Sequence, residues 1–272
     1  MDFKVERNDI ARMQVDAVVL PANWRLIVGT GASLALYEAA GRKELEAECA
    51  MRSEEAKKQG VRLVPGVSIP TLGYALPAKV ILHTIVPKWR EREQRKCYEE
   101  LCMAYASALV LADEMGLESI AFPVLASGNN GFDANLALDI AVQSLEQYQP
   151  KNTLKQAYLV TFGSGITQKM RDRGYEVEEV IDQVHVLNQG VHQANAVKND
   201  EQWSNRWKSD KEPAQAFMDD PIKWFMTPEN QKLVIDLALG VANAVLPDEG
   251  AFKVARKILG VVAPFVNGGR RK

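Results

Sequence analysis

Two short glycine-bearing stretches hold the residues of this chain best suited to chemistry: GTGA at positions 29–32 and SGNNGF at positions 127–132. Glycine lacks a Cβ and tolerates positive φ, so its backbone can close on an anion. Gly29, Thr30, Gly31 and Ala32 lead into a helical pattern, and the unpaired N–H groups of a helix start carry partial positive charge toward a ligand. Ser127, Gly128, Asn129, Asn130 and Gly131 combine two glycines with residues that tolerate left-handed backbone, the makings of an anion-binding nest. Both stretches read as phosphate cradles. Neither is one of the two best-known nucleotide loops, because GTGASLA lacks the Lys-Ser/Thr of a P-loop and the third glycine spacing of a dinucleotide fingerprint. The plainer alternatives are a glycine turn without a ligand and, at Asn130-Gly131, a tight hairpin turn. A helical pattern follows that pair, so the hairpin lacks its second strand.

The surrounding pattern says what must position these loops. Apolar strand patterns at 3–5, 17–20, 67–72, 80–86, 119–122 and 157–162 alternate with helical patterns at 33–40, about 43–58, 93–115 and 134–148. A short helix at 168–173 and a strand or edge at 175–181 follow. This alternation predicts an α/β fold, a mixed sheet with helices on both faces. The loops follow the strands at 17–20 and 119–122, so in a parallel sheet both lie at carboxyl ends, where such sheets bind ligands.

Several separated segments, in order, carry a family resemblance: Asn8-Asp9-Ile10 after the first strand, DAVVLPAN, GTGAS with Ala39-Ala40-Gly41, LPAKVILHTIVPKW, SIAFPVLASGNNGF and YLVTF. Together they resemble the macro domain, the module that binds ADP-ribose and related nucleotides. The resemblance spans about residues 3–181 and implies a three-layer α/β/α fold with a mixed central sheet for residues 1–185. It also implies a site. Asp9 accepts a hydrogen bond from the adenine amino group, with the Ile10 N–H beside it, and Phe162 stacks near the base. An acceptor facing that amine discriminates adenine from guanine; the alternative role for Asp9 is a helix cap. Ala22 and Asn23 match the end of the family's Asn-Ala-Ala-Asn motif, and the Asn23 amide contacts the distal ribose and is the candidate catalytic residue. Gly29, Thr30, Gly31 and Ala32 wrap the distal ribose and nearby phosphate. Ser127, Gly128, Asn129, Asn130 and Gly131 cradle the diphosphate, and Phe132 packs over the distal ribose.

The chain departs from the family in places that bear on catalysis. Leu20 and Pro21 replace the start of the Asn motif, and Ser33 stands where one hydrolase branch carries an Asp, so no carboxylate can act there as a base. Asp133 follows the second loop, but no Lys matches the nucleophile of another branch, and Asp133 reads more simply as a helix N-cap. Asn129 and Asn130 replace an apolar residue and an aromatic, adding hydrogen-bonding capacity for a modified terminal ribose. The resemblance therefore implies two alternatives: a protein that binds ADP-ribose or a derivative and hydrolyses ADP-ribosyl linkages, with an ADP-ribosylated protein as partner, or a non-catalytic nucleotide sensor whose ligand state controls C-terminal helices.

Composition sets the remaining bounds. At 272 residues the chain can hold one sizeable domain with an appendage. Its net charge of -2 gives no reason to expect nucleic acid. Cys49, Cys97 and Cys102 lack metal-ligand spacing and suggest reduced thiols in a cytoplasmic protein. His83 lies in an apolar run and reads as a structural histidine, while His185 and His192 lack ligand partners; no metal or cofactor is expected. The N-terminus shows no export pattern.

Residues 186–212 turn polar and read as a linker, and residues 213–272 as a helical extension. Trp203, Trp207, Phe217, Trp224 and Phe225 are too many aromatics for a fully disordered segment. A helix is predicted at 227–246 with Thr227 as N-cap and Pro228 at its first position, and another at 252–262. Both are too short in apolar run to span a bilayer. Their apolar faces call for a packing partner: the domain itself, a second copy, another protein or a membrane surface.

Overall fold

The computed structural model describes residues 1–181 and 227–245. In chain order the elements are β1 (Asp2–Arg7), a 3-10 turn (Ile10–Arg12), β2 (Ala17–Ala22), α1 (Ala32–Ala40), α2 (Arg42–Lys58), β3 (Ser68–Leu72) and β4 (Val80–Ile85). A second 3-10 turn (Glu91–Glu93), α3 (Gln94–Glu114), β5 (Ser119–Pro123), α4 (Ala134–Gln147), β6 (Gln156–Thr161), α5 (Ser164–Asp172), β7 (Val177–Glu179) and α6 (Pro228–Val245) complete the fold. The strands form one sheet in the order β3-β4-β2-β5-β6-β1-β7. Neighbours run parallel, except that β3 is antiparallel to β4. The predicted mixed sheet is present, with helix boundaries within a few residues of the sequence pattern; α5 starts earlier, at Ser164.

Strand side chains sort by the period of two that a pleated strand imposes. Ala17, Val19, Val80, Leu82, Ile120, Phe122, Ala157 and Leu159 face one core, shared with α3, α4 and α5. Val18, Leu20, Ala22, Ile81, Ile85, Ala121 and Val160 face the other, closed by α1 and α2. The near-continuous apolar strand sequences are those of a sheet buried on both faces.

This sorting fixes where a ligand can sit. After β2 the chain leaves toward the α1–α2 face, whereas after the adjacent β5 it leaves toward the α3–α4 face. Chains departing neighbouring parallel strands in opposite directions open a crevice at their carboxyl ends. The ladder reflects it, because β2 pairs with β5 only at Ala17 and Val18 but with β4 through Ala22. Pro21, just past the strand pattern at 17–20, lies inside β2. The Ala22 carbonyl accepts from Val86 N on the β4 side, so its neighbour Pro21 points toward β5, where the ladder has ended and a missing N–H costs nothing.

At the opposite end, Asp113 organises the approach to β6. Its buried carboxylate accepts from Tyr148 Oη and from the backbone N–H groups of Lys151, Asn152, Thr153 and Leu154, at 2.7–3.3 Å.

The C-terminal helix α6 follows the sequence expectation. Thr227 stands at the N-cap position, its carbonyl accepting from Gln231 N at 3.1 Å, and Pro228 opens the helix. Val234, Ala238 and Val241, spaced on one helical face, are buried in the core cluster of α3 and α4. No helix among the described residues is long and apolar enough to cross a membrane. The polar stretch from 186, the aromatic residues from Trp203 to Phe225, His185, His192 and the helix at 252–262 lie outside the described residues.

Candidate functional site

Four loops converge on one edge of the sheet. β2, β5, β6 and β1 are consecutive parallel neighbours, so the segments after them emerge on the same side. Those segments hold Asn23 to Ala32, Ser127 to Phe132, Phe162, and Asp9 with Ile10. Every sequence-predicted site residue therefore lies along this edge, over three strand spacings, about 14 Å.

The first loop is built around Asn23. Its Oδ1 accepts from Arg25 N at 3.0 Å and its Nδ2 donates to the Ile27 carbonyl at 2.7 Å. The side chain thus closes a turn on itself, as Asn does where it competes with regular backbone. Among the described residues, one amide N–H and one carbonyl lone pair of Asn23 are left over. Within the turn, Leu26 holds φ at 53° with its side chain buried, a left-handed conformation that costs about 1–2 kcal/mol for a residue with a Cβ. From beneath, Tyr37 Oη donates to the Leu26 carbonyl at 2.7 Å.

Further along, Gly31 (φ 60°) caps α1. Ser33 is buried and its Oγ accepts from Gly29 N at 3.1 Å. The hydroxyl at this position shapes the glycine run rather than supplying a base. A Cβ at Gly29 would lie 3.2 Å from Ser33 Oγ, a tight approach that a small shift of the serine side chain would have to relieve.

The second loop leaves β5 through Ala126 (φ 63°) and turns at residues 128–131, where Gly131 N donates to the Gly128 carbonyl at 3.1 Å. Trp89, from the β4–α3 connection, supports it: Trp89 N donates to the Asn130 carbonyl at 2.7 Å, and its ring meets that of Phe132 edge-on at 5.3 Å. Phe132 is buried in this contact. Asp133 caps α4, accepting from Asn135 N and Leu136 N, as its sequence position suggested. Among the described residues, one side-chain bond joins the two loops across the crevice, Asn129 Nδ2 to Thr30 Oγ1 at 2.9 Å.

The electrostatic character of the crevice comes from its backbone. The N–H groups of Thr30, Gly31 and Ala32, and those of residues 127–130, donate to no acceptor among the described residues. They comprise the start of α1, an arrangement that favours an anion, and a turn bounded by left-handed Ala126 and Gly131.

At the β1 end, Asp9 is the N-cap of the 3-10 turn, its carboxylate accepting from Ala11 N at 3.0 Å. Asn8 Oδ1 in turn accepts from Asp9 N at 2.8 Å. Ile10 is buried beside it, and Phe162 is 39% exposed just beyond β6. Asp9 therefore fulfils the structural role considered from sequence, just past the carboxyl end of β1.

Beneath the first loop lies a buried polar chain. Thr71 Oγ1 is 2.9 Å from His83 Nε2, the His83 ring is 3.7 Å from Cys49 Sγ, and Cys49 Sγ is 3.3 Å from Tyr37 Oη. Burial lowers the His83 pKa to about 3 and raises that of the Cys49 thiol to about 11. Both groups are neutral at pH 7, and His83 is the structural histidine expected. Among the described residues no cluster of three or more His, Cys, Asp or Glu could hold a metal ion.

Sequence reasoning missed Tyr37 and Trp89 as supports of the two loops. Tyr37 sits one turn into α1 and Trp89 closes the LPAKVILHTIVPKW segment. An aromatic with a polar edge on a buried helix face is the signal that could have marked Tyr37.

A family model described as Macro domain matches residues 19–141. Among curated relatives, the O-acetyl-ADP-ribose deacetylase of Escherichia fergusonii is 33% identical over 159 residues, 58% of this chain and 86% of that protein. The Macro domain-containing protein of Methanosarcina mazei is 35% identical over 161 residues, 59% of this chain and 81% of that protein. Among solved structures, that of the Oceanobacillus iheyensis macrodomain with ADP has a TM-score of 0.56 at 27% identity, covering 69% of this chain and 92% of that one.

Proposed function

The chain belongs to the macro domain family, and from that premise we propose that its carboxyl-edge crevice binds ADP-ribose or a derivative of it. The observation that carries this reading is the double row of backbone N–H groups, at residues 30–32 and 127–130, that donate to no acceptor among the described residues. They can satisfy a diphosphate without arginines. On this reading the adenine lies at Asp9 and Ile10 with Phe162 beside it, the diphosphate between the two loops, and the distal ribose at Asn23. Related proteins that carry ADP, ADPR or ADP-ribose in solved structures support the ligand class.

Two versions follow. In the hydrolytic version, the spare N–H and lone pair of Asn23 orient a water or hydroxyl at the distal ribose of an ADP-ribosylated protein or acylated ADP-ribose; the O-acetyl-ADP-ribose deacetylases among the relatives support this chemistry. Ser33, hydrogen-bonded to Gly29 N, contributes no carboxylate base. In the sensor version, occupancy is passed to α6 without turnover. A specific feature favours it: α4 begins at the second loop, capped by Asp133, and packs against α6.

Calorimetric titration with ADP-ribose, followed by incubation with an ADP-ribosylated protein, tests both. Absence of binding overturns the reading. Binding with release of ADP-ribose supports the hydrolase, and binding without release supports the sensor.

Asp9→Ala is expected to weaken ADP-ribose about 10-fold by removing a charged acceptor from the base. Because Asp9 also caps a turn, the variant should lose about 1 kcal/mol of stability as well. Asp9→Asn keeps the cap and should melt near wild type. Unaltered affinity in the folded Asp9→Ala variant would remove Asp9 from the site.

A further inference from the structure

We propose that Tyr37 is a positioning residue for the distal end of the crevice, its buried hydroxyl holding the turn at residues 23–27 so that the Asn23 amide meets the terminal ribose. The inference rests on the ADP-ribose reading above.

The turn carries strain that something must hold. Leu26 has φ 53° and a buried side chain, and such conformations persist only where surroundings over-determine them, often at functional sites. Two restraints do so here. Asn23 grips the turn from within through Arg25 N and the Ile27 carbonyl, and Tyr37 grips it from below through the Leu26 carbonyl.

Tyr37 is itself immobilised. Its side chain is fully buried, its hydroxyl lies 3.3 Å from Cys49 Sγ, and its ring meets that of His83 edge-on at 6.0 Å. His83 belongs to β4, the neighbour of β2, so this chain of contacts ties the loop to the sheet rather than only to its own helix. Asn23 is largely spent on shaping its turn, and its remaining N–H and lone pair can be aimed only if the turn is fixed. Without the tyrosine hydroxyl, the Leu26 carbonyl loses its buried donor and the turn can relax from its left-handed residue.

The consequence is selective. The turn lies at the β2 end of the edge, remote from Asp9 beyond β1, so a ligand lacking the terminal ribose should not sense it.

Calorimetry with ADP-ribose and with ADP, on wild type, Tyr37→Phe and Leu76→Ala, reads this out. Tyr37→Phe should weaken ADP-ribose about 5- to 10-fold while ADP changes less than about twofold. Leu76→Ala, a buried change in the same core cluster but past the end of β3 that lies opposite the crevice, should leave the ADP-ribose to ADP ratio as in wild type. Equal losses for both ligands in Tyr37→Phe, or an equal shift of the ratio in Leu76→Ala, would mean general loosening of the core and overturn the proposal. Wild type that binds neither ligand would overturn the ADP-ribose reading itself. If Tyr37→Phe does not fold, amide hydrogen exchange on wild type decides: protection at residues 24–28 should rise with ADP-ribose and not with ADP, and equal or absent changes would overturn the proposal.

Discussion

Asp113→Ala should destabilise the protein by about 3–5 kcal/mol, lowering its melting temperature by about 10 °C. The carboxylate is 1% exposed and lies in the last turn of α3, where the helix dipole disfavours a negative charge. What offsets this is local. Oδ1 accepts from Asn152, Thr153 and Leu154 N, and Oδ2 from Lys151 N, Asn152 N and Tyr148 Oη. Alanine would strand these donors together, and those furthest from water would bear the largest penalty.

The same residue makes a pH prediction. Burial alone would raise the Asp113 pKa, but the N–H groups of Leu154, Lys151 and Asn152 with the Tyr148 hydroxyl outweigh it and leave the value lowered. A carboxyl whose folded pKa lies below its unfolded value of about 3.9 contributes stability above that value and loses it as pH falls through the folded one. Chemical denaturation at pH 7 and pH 3 should therefore show a smaller gap between wild type and Asp113→Ala at the lower pH. An equal gap at both would mean that the carboxylate's charge is not what stabilises the turn.

Gly131→Val should abolish most ligand binding while leaving the fold intact. Gly131 holds φ at 81° on an exposed loop, and a Cβ there would meet Trp89 Cβ at 3.4 Å. A β-branched residue is strained at that φ, so the turn at 128–131 has to move, at a cost of about 2 kcal/mol, or about 30-fold in affinity. The N–H groups of residues 127–130 would no longer converge. Calorimetry against ADP-ribose checks the affinity and circular dichroism the fold; unchanged affinity would mean that the second loop does not hold the diphosphate.

The parts of this molecule legible in its sequence are those governed by local rules. The buried strands announced themselves as apolar runs, and Asp133 and Thr227 as caps; of the glycines in the two loops, only Gly31 and Gly131 take positive φ, while Gly29 and Gly128 do not. Relations between distant segments were not legible. Pro21 sits in a strand because β5 has already diverged from β2 at that level, a fact of the sheet rather than of the dipeptide. Leu26 and Ala126 adopt positive φ without a glycine to advertise it. The Asn129–Thr30 bond spans 99 positions, and the Asp113 carboxylate gathers donors about 40 residues away, separations that no local pattern encodes. Along the candidate site, residue types suggested an anion cradle, whereas the supports of each loop, Tyr37 and Trp89, emerged only with the packing.

The docking of α6 carries a practical consequence. Val234, Ala238 and Val241 cover part of α3 and α4, so a chain ended at Ile181 would present that apolar strip to water. Such patches promote self-association. Shortening the protein to the portion its relatives share would thus yield a stickier molecule, and recovering good solution behaviour would call for polar substitutions on the uncovered faces of those two helices.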